Sequence, residues 1–331
     1  MTEEQLLKKP VKKLLHKIST AGVCLLVLCL FLSGCTHKKK NELNIAEQFG
    51  IAYAPLQIMK EQKLLEKRLT GVTVNWKQFG GPTAIREGML AGEIDVGFMG
   101  PAPVLMGIDN GMEWKYATGI SFNAMEIMVQ GKDVTKLADL KESDRIAVLS
   151  PACTQHVLLC MAAEREFGDA TALDNRIVSL SHPDAMNSLL SGTEVTAHVA
   201  TPPYIDMEAA AGMHSIYSGE ELMGMPFTFI TGVAMQSFYD ERPMEYTAFI
   251  ESLNEAITFI NNNIDETVRL LAPIYGIAED ELKSQMTYNG TIYSNRLEGV
   301  AELSEAMQRM GFTKGNPRFE DIIFANVNTD K

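Results

Sequence analysis

Between residues 43 and 200, short apolar runs alternate with stretches whose apolar side chains recur at helical spacing. Residues 43–49 read as a first strand, 72–76 alternate as a half-buried strand does, and 94–99 form a short buried strand. Each run leads into a helical pattern: 56–64, carrying Leu56, Met59 and Leu64, then 84–90, then a segment entered through Gly100-Pro101-Ala102-Pro103. Residues 116–120 and 126–130 are further strands, separated by the polar break at 121–124. After Gly131 the pattern restarts, with strands at 145–149, 176–180 and 195–199 and helices at 155–167 and 184–190. A last strand is expected at 227–235. Beyond it Tyr246, Phe249, Ile250, Leu253, Ile257 and Ile260 form one helical apolar face, and Leu297, Val300, Ala301 and Met307 form a weaker one. Strands alternating with helices at this pitch predict an α/β protein with mostly parallel sheets. No low-complexity linker interrupts the chain, so two lobes should be joined by strands.

The turns between these elements carry the functional signal. In residues 90–103, Leu-Ala-Gly-Glu-Ile-Asp-Val-Gly-Phe-Met-Gly-Pro-Ala-Pro, a buried strand ends in Gly100 and turns at once into a helix. Proline suits a first helical turn, where its missing N–H would have no partner. Such a turn presents free backbone N–H groups at the carboxyl edge of a sheet, where open α/β sheets bind ligands. Phe79-Gly80-Gly81-Pro82-Thr83 and Ser150-Pro151-Ala152-Cys153-Thr154 repeat the arrangement, and the strand at 195–199 ends in Thr201-Pro202-Pro203-Tyr204. These turns are expected to wall a small-molecule cleft.

The first 34 residues stand apart. Five lysines between Lys8 and Lys17 precede an apolar run at 21–32, too short to cross a bilayer comfortably. Leu32-Ser33-Gly34-Cys35 follows and resembles a bacterial lipobox, which implies cleavage before Cys35, lipid on its thiol and a tether at 35–43. Removal of 1–34, with five Lys and two Glu, takes the formal charge from −13 to −16. So acidic a body excludes nucleic acid as a partner, while a small anion stays compatible because nearby dipoles set the field in a pocket. Cys153 and Cys160 are then the only body cysteines beyond Cys35, so no disulfide framework is expected.

Cys153, His156 and Cys160 fall at i, i+3 and i+7, one face of a helix. A metal site is not expected there, because no fourth ligand is evident. A nucleophilic Cys153–His156 pair lacks a clear orienting acid, so no enzyme activity is expected. His198, at a strand end, reads as a packed, hydrogen-bonded histidine. Tyr53, Phe79, Phe122, Tyr204 and Phe227 are placed near the cleft mouth, where they could stack on a ligand or fill space. Met99, Met106, Met112, Met125 and Met128 read as core. No Gly-x-x-x-x-Gly-Lys-Ser/Thr loop is present, so ATP hydrolysis would belong to a partner.

Several stretches, in order and spacing, carry a resemblance to a known family: 55–62, 80–87, 91–103, 137–141 with the strand at 146, and 183–192. The chain resembles the substrate-binding lipoproteins of ABC importers, of the nitrate/sulfonate/taurine type, whose domain also resembles pyrimidine-precursor synthases. The resemblance implies a two-lobed periplasmic-binding-protein fold of type II, a monomer without cofactor, anchored by lipid on the extracytoplasmic face of a bacterial membrane. It implies a discontinuous lobe of residues 44–124 plus 225–331, a second lobe of 125–224, and two crossover strands. Its partners would be a small-molecule ligand, a permease and a separate ATPase. Carried over by position, the ligand contacts fall on Tyr53, Gly80, Gly81, Gly100, Pro101, Ala102 and Asn123, and on Cys153, Thr154, Gln155, His156, Thr201 and Tyr204. Closure should bring the turns at Gly50, Gly80 and Gly100 to face those at Ser150 and Thr201. The cargo expected is a sulfonate, nitrate or taurine-like ligand, with a thiamine-precursor pyrimidine as the alternative and a pyrimidine-synthase-like enzyme as the rival of another class. Two departures bear on cargo: Thr201-Pro202-Pro203-Tyr204 replaces a Trp-Asp-Pro-Tyr-like run, and Pro151-Ala152-Cys153-Thr154 replaces a Ser/Thr-rich helix start.

Overall fold

The computed structural model describes residues 41–192, 195–287 and 291–327. Cys35, with the basic and apolar segments before it, lies outside the described residues. Two mixed sheets organise the rest. The first has six strands in the order β11-β4-β10-β3-β1-β2: β1 (Glu42–Glu47), β2 (Thr73–Gln78), β3 (Val96–Met99), β4 (Trp114–Phe122), β10 (Ile230–Met235) and β11 (Ile292–Tyr293). The second has the order β7-β6-β8-β5-β9, from β5 (Glu126–Val129), β6 (Arg145–Val148), β7 (Ile177–Ser179), β8 (Val195–Ala200) and β9 (His214–Ser218). Parallel pairing holds among β1, β2 and β3 and among β6, β7 and β8. The strands flanking the two passages between sheets add antiparallel ladders: β4 and β10 in the first sheet, β5 and β9 in the second. The sheets are therefore mixed, less parallel than the strand–helix alternation suggests.

The principal helices are α1 (Ala54–Glu61), α2 (Pro82–Leu90), α3 (Pro101–Asp109), α4 (Thr154–Phe167), α5 (His182–Ser191), α6 (Tyr204–Ala210), α7 (Pro243–Asn262), α8 (Ile264–Tyr275) and α9 (Val300–Arg309). Their packing follows from small residues where backbone must approach. At Gly97 in β3 an added Cβ would stand 2.7 Å from Ile85 and from Met89 of α2, so glycine lets that helix seat directly on the strand. The long face of α7 is buried as its spacing demands, with Phe249 edge-on to Phe98 at 5.9 Å. On α9 the buried row is Val300, Leu303 and Met307; Ala301 faces solvent, one step off the row that its spacing suggested. Met99, Met125 and Met128 are core, and Met106 and Met112 pack against core.

One buried charge ties the first sheet to α7. Asp95, fully buried before β3, accepts a hydrogen bond at Oδ2 from the Asn44 backbone N–H at 2.9 Å and one at Oδ1 from Arg242 at 3.3 Å. Arg242 also pairs with Glu245 at 3.2 Å. Among the described residues no helix is long and apolar enough to cross a membrane.

Candidate functional site

The carboxyl ends of the parallel strands in the two sheets face each other. Gly50 stands opposite the Pro202 carbonyl, Gly80 opposite Ser181, Gly81 opposite the Leu149 carbonyl and Gly100 opposite Thr154. This matches the facing of turns expected on closure, with Ser181 as an added member. The contact is tight. The Ala102 backbone N–H donates to Thr154 Oγ1 at 3.2 Å, joining the two lobes directly. At the rim Arg309 of α9 meets Glu164 of α4 at 3.0 Å.

Between these turns lies a narrow cleft, walled by Gln48, Phe49, Tyr53, Pro82, Gly100 and Pro103 on one side. Leu149, Cys153, Thr154, Gln155 and His182 wall the other, and Phe229 and Ile230 close it on the first-sheet side. None of these lining residues is Lys, Arg, Asp or Glu. What they share is position: Pro82, Gly100, Cys153–Gln155 and His182 stand at the starts of α2, α3, α4 and α5. Prolines in the first turns of α2, α3 and α5 and the caps Cys153 and Ser181 explain why helices begin there. Four helix N-termini thus point partial positive charge at one small volume.

Of the residues carried over from the resemblance, Tyr53, Gly100, Cys153, Thr154 and Gln155 line the cleft. Gly80, Gly81, Pro101 and Ala102 sit beside it in the facing turns. Thr201 and Tyr204 contact His182 and are not themselves wall residues: Thr201 Oγ1 lies 3.4 Å from its Nε2, and the Tyr204 ring stacks on it at 5.2 Å. The Pro202–Pro203 peptide bond is cis. Asn123 donates to Thr291 at 3.5 Å and keeps a buried Oδ1 with no described partner. Of the five aromatics placed at the mouth only Tyr53 is a wall residue; Phe49 and Phe229 line the cleft instead. The exposed Thr83, from the turn at 79–83, is absent from the wall.

His156 departs most from expectation, because its ring is turned away from the cleft. Nδ1 accepts the Ala152 backbone N–H at 2.9 Å, Nε2 lies 3.4 Å from Asp174 Oδ1, and the ring meets Phe312 edge-on at 5.3 Å. Ala152 is held at a φ of 58°, in the left-handed region that costs a side-chain-bearing residue about 1–2 kcal/mol. His156 therefore pins a strained turn that delivers Cys153, Thr154 and Gln155 to the wall. Burial holds its pKa below the ordinary value, against the opposing pull of Asp174, which suits an accepting Nδ1.

Asp174 also brings a third metal-type side chain to His156 and Cys160, with the three ligand atoms within 4.8 Å of one another. The tautomer speaks against a metal there. A ligating histidine normally donates from its other nitrogen, whereas Nδ1 here accepts, which leaves the proton on Nε2. The same bond keeps His156 from serving Cys153 as a base, and burial pushes the Cys153 thiol up.

Sequence reasoning passed over His182. It falls just before the helix expected at 184–190, yet it is a buried wall residue backed by His198, whose Nε2 lies 2.9 Å from His182 Nδ1. His198 is packed and hydrogen-bonded as expected, its Nδ1 lying 2.6 Å from Glu208 Oε1.

Comparison with known proteins agrees with this geometry. A profile of the NMT1-like family matches residues 36–274. The chain belongs to the NMT1-like family. A Bacillus subtilis strain 168 protein named for binding aliphatic sulfonates is 26% identical over 305 residues, 86% of this chain and 88% of that one. Among solved structures, the alkanesulfonate-binding protein SsuA of Xanthomonas axonopodis pv. citri, bound to MOPS, superposes with a TM-score of 0.71 at 20% identity, covering 87% of this chain and 99% of its own. The periplasmic nitrate-binding protein NrtA of Synechocystis PCC 6803 gives 0.69 at 13% identity, covering 86% and 85%. At these identities the likeness establishes the fold: the two-lobed α/β architecture of periplasmic binding proteins.

Proposed function

We propose that this NMT1-like protein is the extracytoplasmic solute receptor of an ABC importer, and that it traps a small oxyanion of the sulfonate class between its lobes. The observation that carries the reading is the cleft wall: four helix N-termini and no charged side chain. Helix N-termini hold an anion by backbone N–H groups and dipoles without a fixed countercharge. The name of the Bacillus subtilis relative points the same way. A receptor rather than an enzyme is favoured by a buried Cys153 thiol with no base. The lobes would be residues 44–124 plus 225–331 and residues 125–224. The chain passes between sheets after β4 and again before β10, and these two passages would serve as the hinge. Lipid on Cys35 would hold the body at the membrane, in keeping with a family match that begins at residue 36. Its partners there would be the permease and its ATPase, with the receptor acting as a monomer.

The test is a thermal-shift panel on residues 36–331, unfolded and refolded to strip carried ligand. Ethanesulfonate, taurine, nitrate and a hydroxymethylpyrimidine would be compared. A ligand at about 100 times its Kd adds about 2.7 kcal/mol to native stability, so a sulfonate should raise Tm by several degrees. A shift with the pyrimidine alone would transfer the receptor to the heterocycle class.

A further inference from the structure

We infer that His182 is the hydrogen-bond donor that the cleft offers its anion, and that buried Glu208, acting through His198, decides whether it donates. This rests on the oxyanion reading above. Glu208 Oε1, His198 Nδ1, His198 Nε2 and His182 Nδ1 form one unbranched chain of hydrogen bonds, 2.6 Å at one end and 2.9 Å at the other. His182 Nε2 ends it, beside Gln155 at 3.3 Å and Thr201 at 3.4 Å. All three chain members are buried: Glu208 is 0% exposed, His198 1% and His182 4%.

A neutral imidazole donates from one nitrogen and accepts at the other, so the chain has two self-consistent states. With Glu208 protonated on Oε1, its O–H donates to His198 Nδ1. His198 Nε2–H then donates to His182 Nδ1, and His182 Nε2 carries a proton to give, between Gln155 of the cleft wall and Thr201. With Glu208 ionised every bond reverses: His198 Nδ1–H donates to the carboxylate, His182 Nδ1–H donates to His198, and His182 Nε2 shows a lone pair. The states differ by one proton, gained or lost at Glu208, with each ring proton moved from one nitrogen to the other. The Gln155 amide and Thr201 hydroxyl can turn to suit either state. An anion is served by the first and repelled by the second.

The surroundings favour placing the exchangeable proton on the carboxyl. Burial pushes Glu208 up to about 8 and His198 down to about 3, and holds His182 well below its ordinary value with help from His198. The other titratable groups around His182 are Tyr204 on α6, Cys153 at the start of α4, Asp184 in its own helix and Tyr53 across the cleft. Burial pushes the Tyr204, Cys153 and Tyr53 protons on more firmly. Asp184 is engaged by Ser181. The Glu208 side chain also has a second oxygen, Oε2, buried without a described partner, which disfavours the ionised form.

Glu208→Gln separates this relay from a merely structural role. The amide can donate to His198 Nδ1 or accept from it, but it has no proton to gain or lose over this range, so the variant should hold one ring pattern at every pH. Nitrogen-15 shifts of the His182 ring in ligand-free protein should show Nε2 protonated at about pH 6.5 and Nδ1 protonated at about pH 9.5. In Glu208→Gln the ring pattern should be the same at both pH values, whichever nitrogen carries the proton. Ethanesulfonate affinity of the wild type should fall about tenfold per pH unit above the transition, and that of the variant should stay level. A wild-type His182 whose ring pattern does not change over this range, or a variant that follows the wild type, overturns the relay. A ring pattern that switches as described in a protein that binds no sulfonate or nitrate would uphold the relay and refute the oxyanion reading.

Discussion

Gly100→Ala is expected to weaken ethanesulfonate binding by about 10- to 100-fold, while the Tm of the ligand-free protein changes by no more than a few degrees. The backbone at Gly100 is ordinary extended chain, φ −60° and ψ 160°, which alanine adopts without strain. The obstacle is across the cleft. An added Cβ would stand 2.3 Å from Thr154 Oγ1 and 3.1 Å from Thr154 Cβ. Thr154 cannot swing aside easily, since it is 1% exposed and its hydroxyl holds the Ala102 N–H. Overpacking of this kind costs about 1–3 kcal/mol, and each 1.4 kcal/mol is about tenfold in affinity. The lobes can escape the clash by parting, so the cost falls on the closed, ligand-holding arrangement and not on folding. Thr154→Ala removes the oxygen that collides, and adding it to Gly100→Ala should restore part of the loss in a double-mutant cycle by calorimetry. Wild-type affinity in Gly100→Ala would mean that ligand is held with these turns apart.

The second large effect should appear in stability alone. Arg242→Ala is expected to lower the free energy of unfolding by about 3–5 kcal/mol, the usual cost of removing one partner from a buried ion pair. Asp95 is fully buried, and Arg242 is the cation that meets its Oδ1. Removing both charges, as Asp95→Asn with Arg242→Met, should cost less than Arg242→Ala, because no uncompensated charge stays inside. Urea unfolding of the three proteins gives the comparison. The pair stands at the start of β3 and of α7, away from the cleft-lining residues, so the folded fraction should bind ligand with wild-type affinity. A loss below about 1 kcal/mol in Arg242→Ala, the range of an exposed pair, would contradict this account of the charge.

How much of this could be read from the chain depended on whether a feature was local. The strands at residues 43–49 and 94–99 and the helices after Gly81, Gly100 and Cys153 are carried by consecutive side chains and their Gly-Pro or Cys-Thr turns. They appear within two residues or so of their expected places. β9 was passed over because His-Ser-Ile-Tyr-Ser on a sheet edge is half-exposed and polar, and β11 because it is two residues long. The helical spacing of Cys153, His156 and Cys160 did put them on one helix. That His156 turns back to Ala152 depends on the left-handed turn before it, which nothing in the residue types announces. Glu208 lies within Asp-Met-Glu-Ala-Ala and looks like a solvated helix residue. Only the packing of α6 against the second sheet brings it to His198, and only α5 brings His182 to the same point. Sequence pattern reveals which elements form; a buried polar chain drawn from three of them is a tertiary fact.

An anion held between the lobes would lie against the wall that carries Cys153. The direct measurement is the rate at which a thiol reagent modifies Cys153, followed by peptide mass spectrometry on the refolded body with and without saturating ethanesulfonate. Cys153 is 1% exposed and faces the cleft, so it should react only when the lobes part. Ethanesulfonate should slow modification of Cys153 at least about tenfold, with little change at Cys160, which lies outside the cleft wall. Calorimetric binding of ethanesulfonate with no protection of Cys153 would place the ligand elsewhere and contradict a site between the lobes.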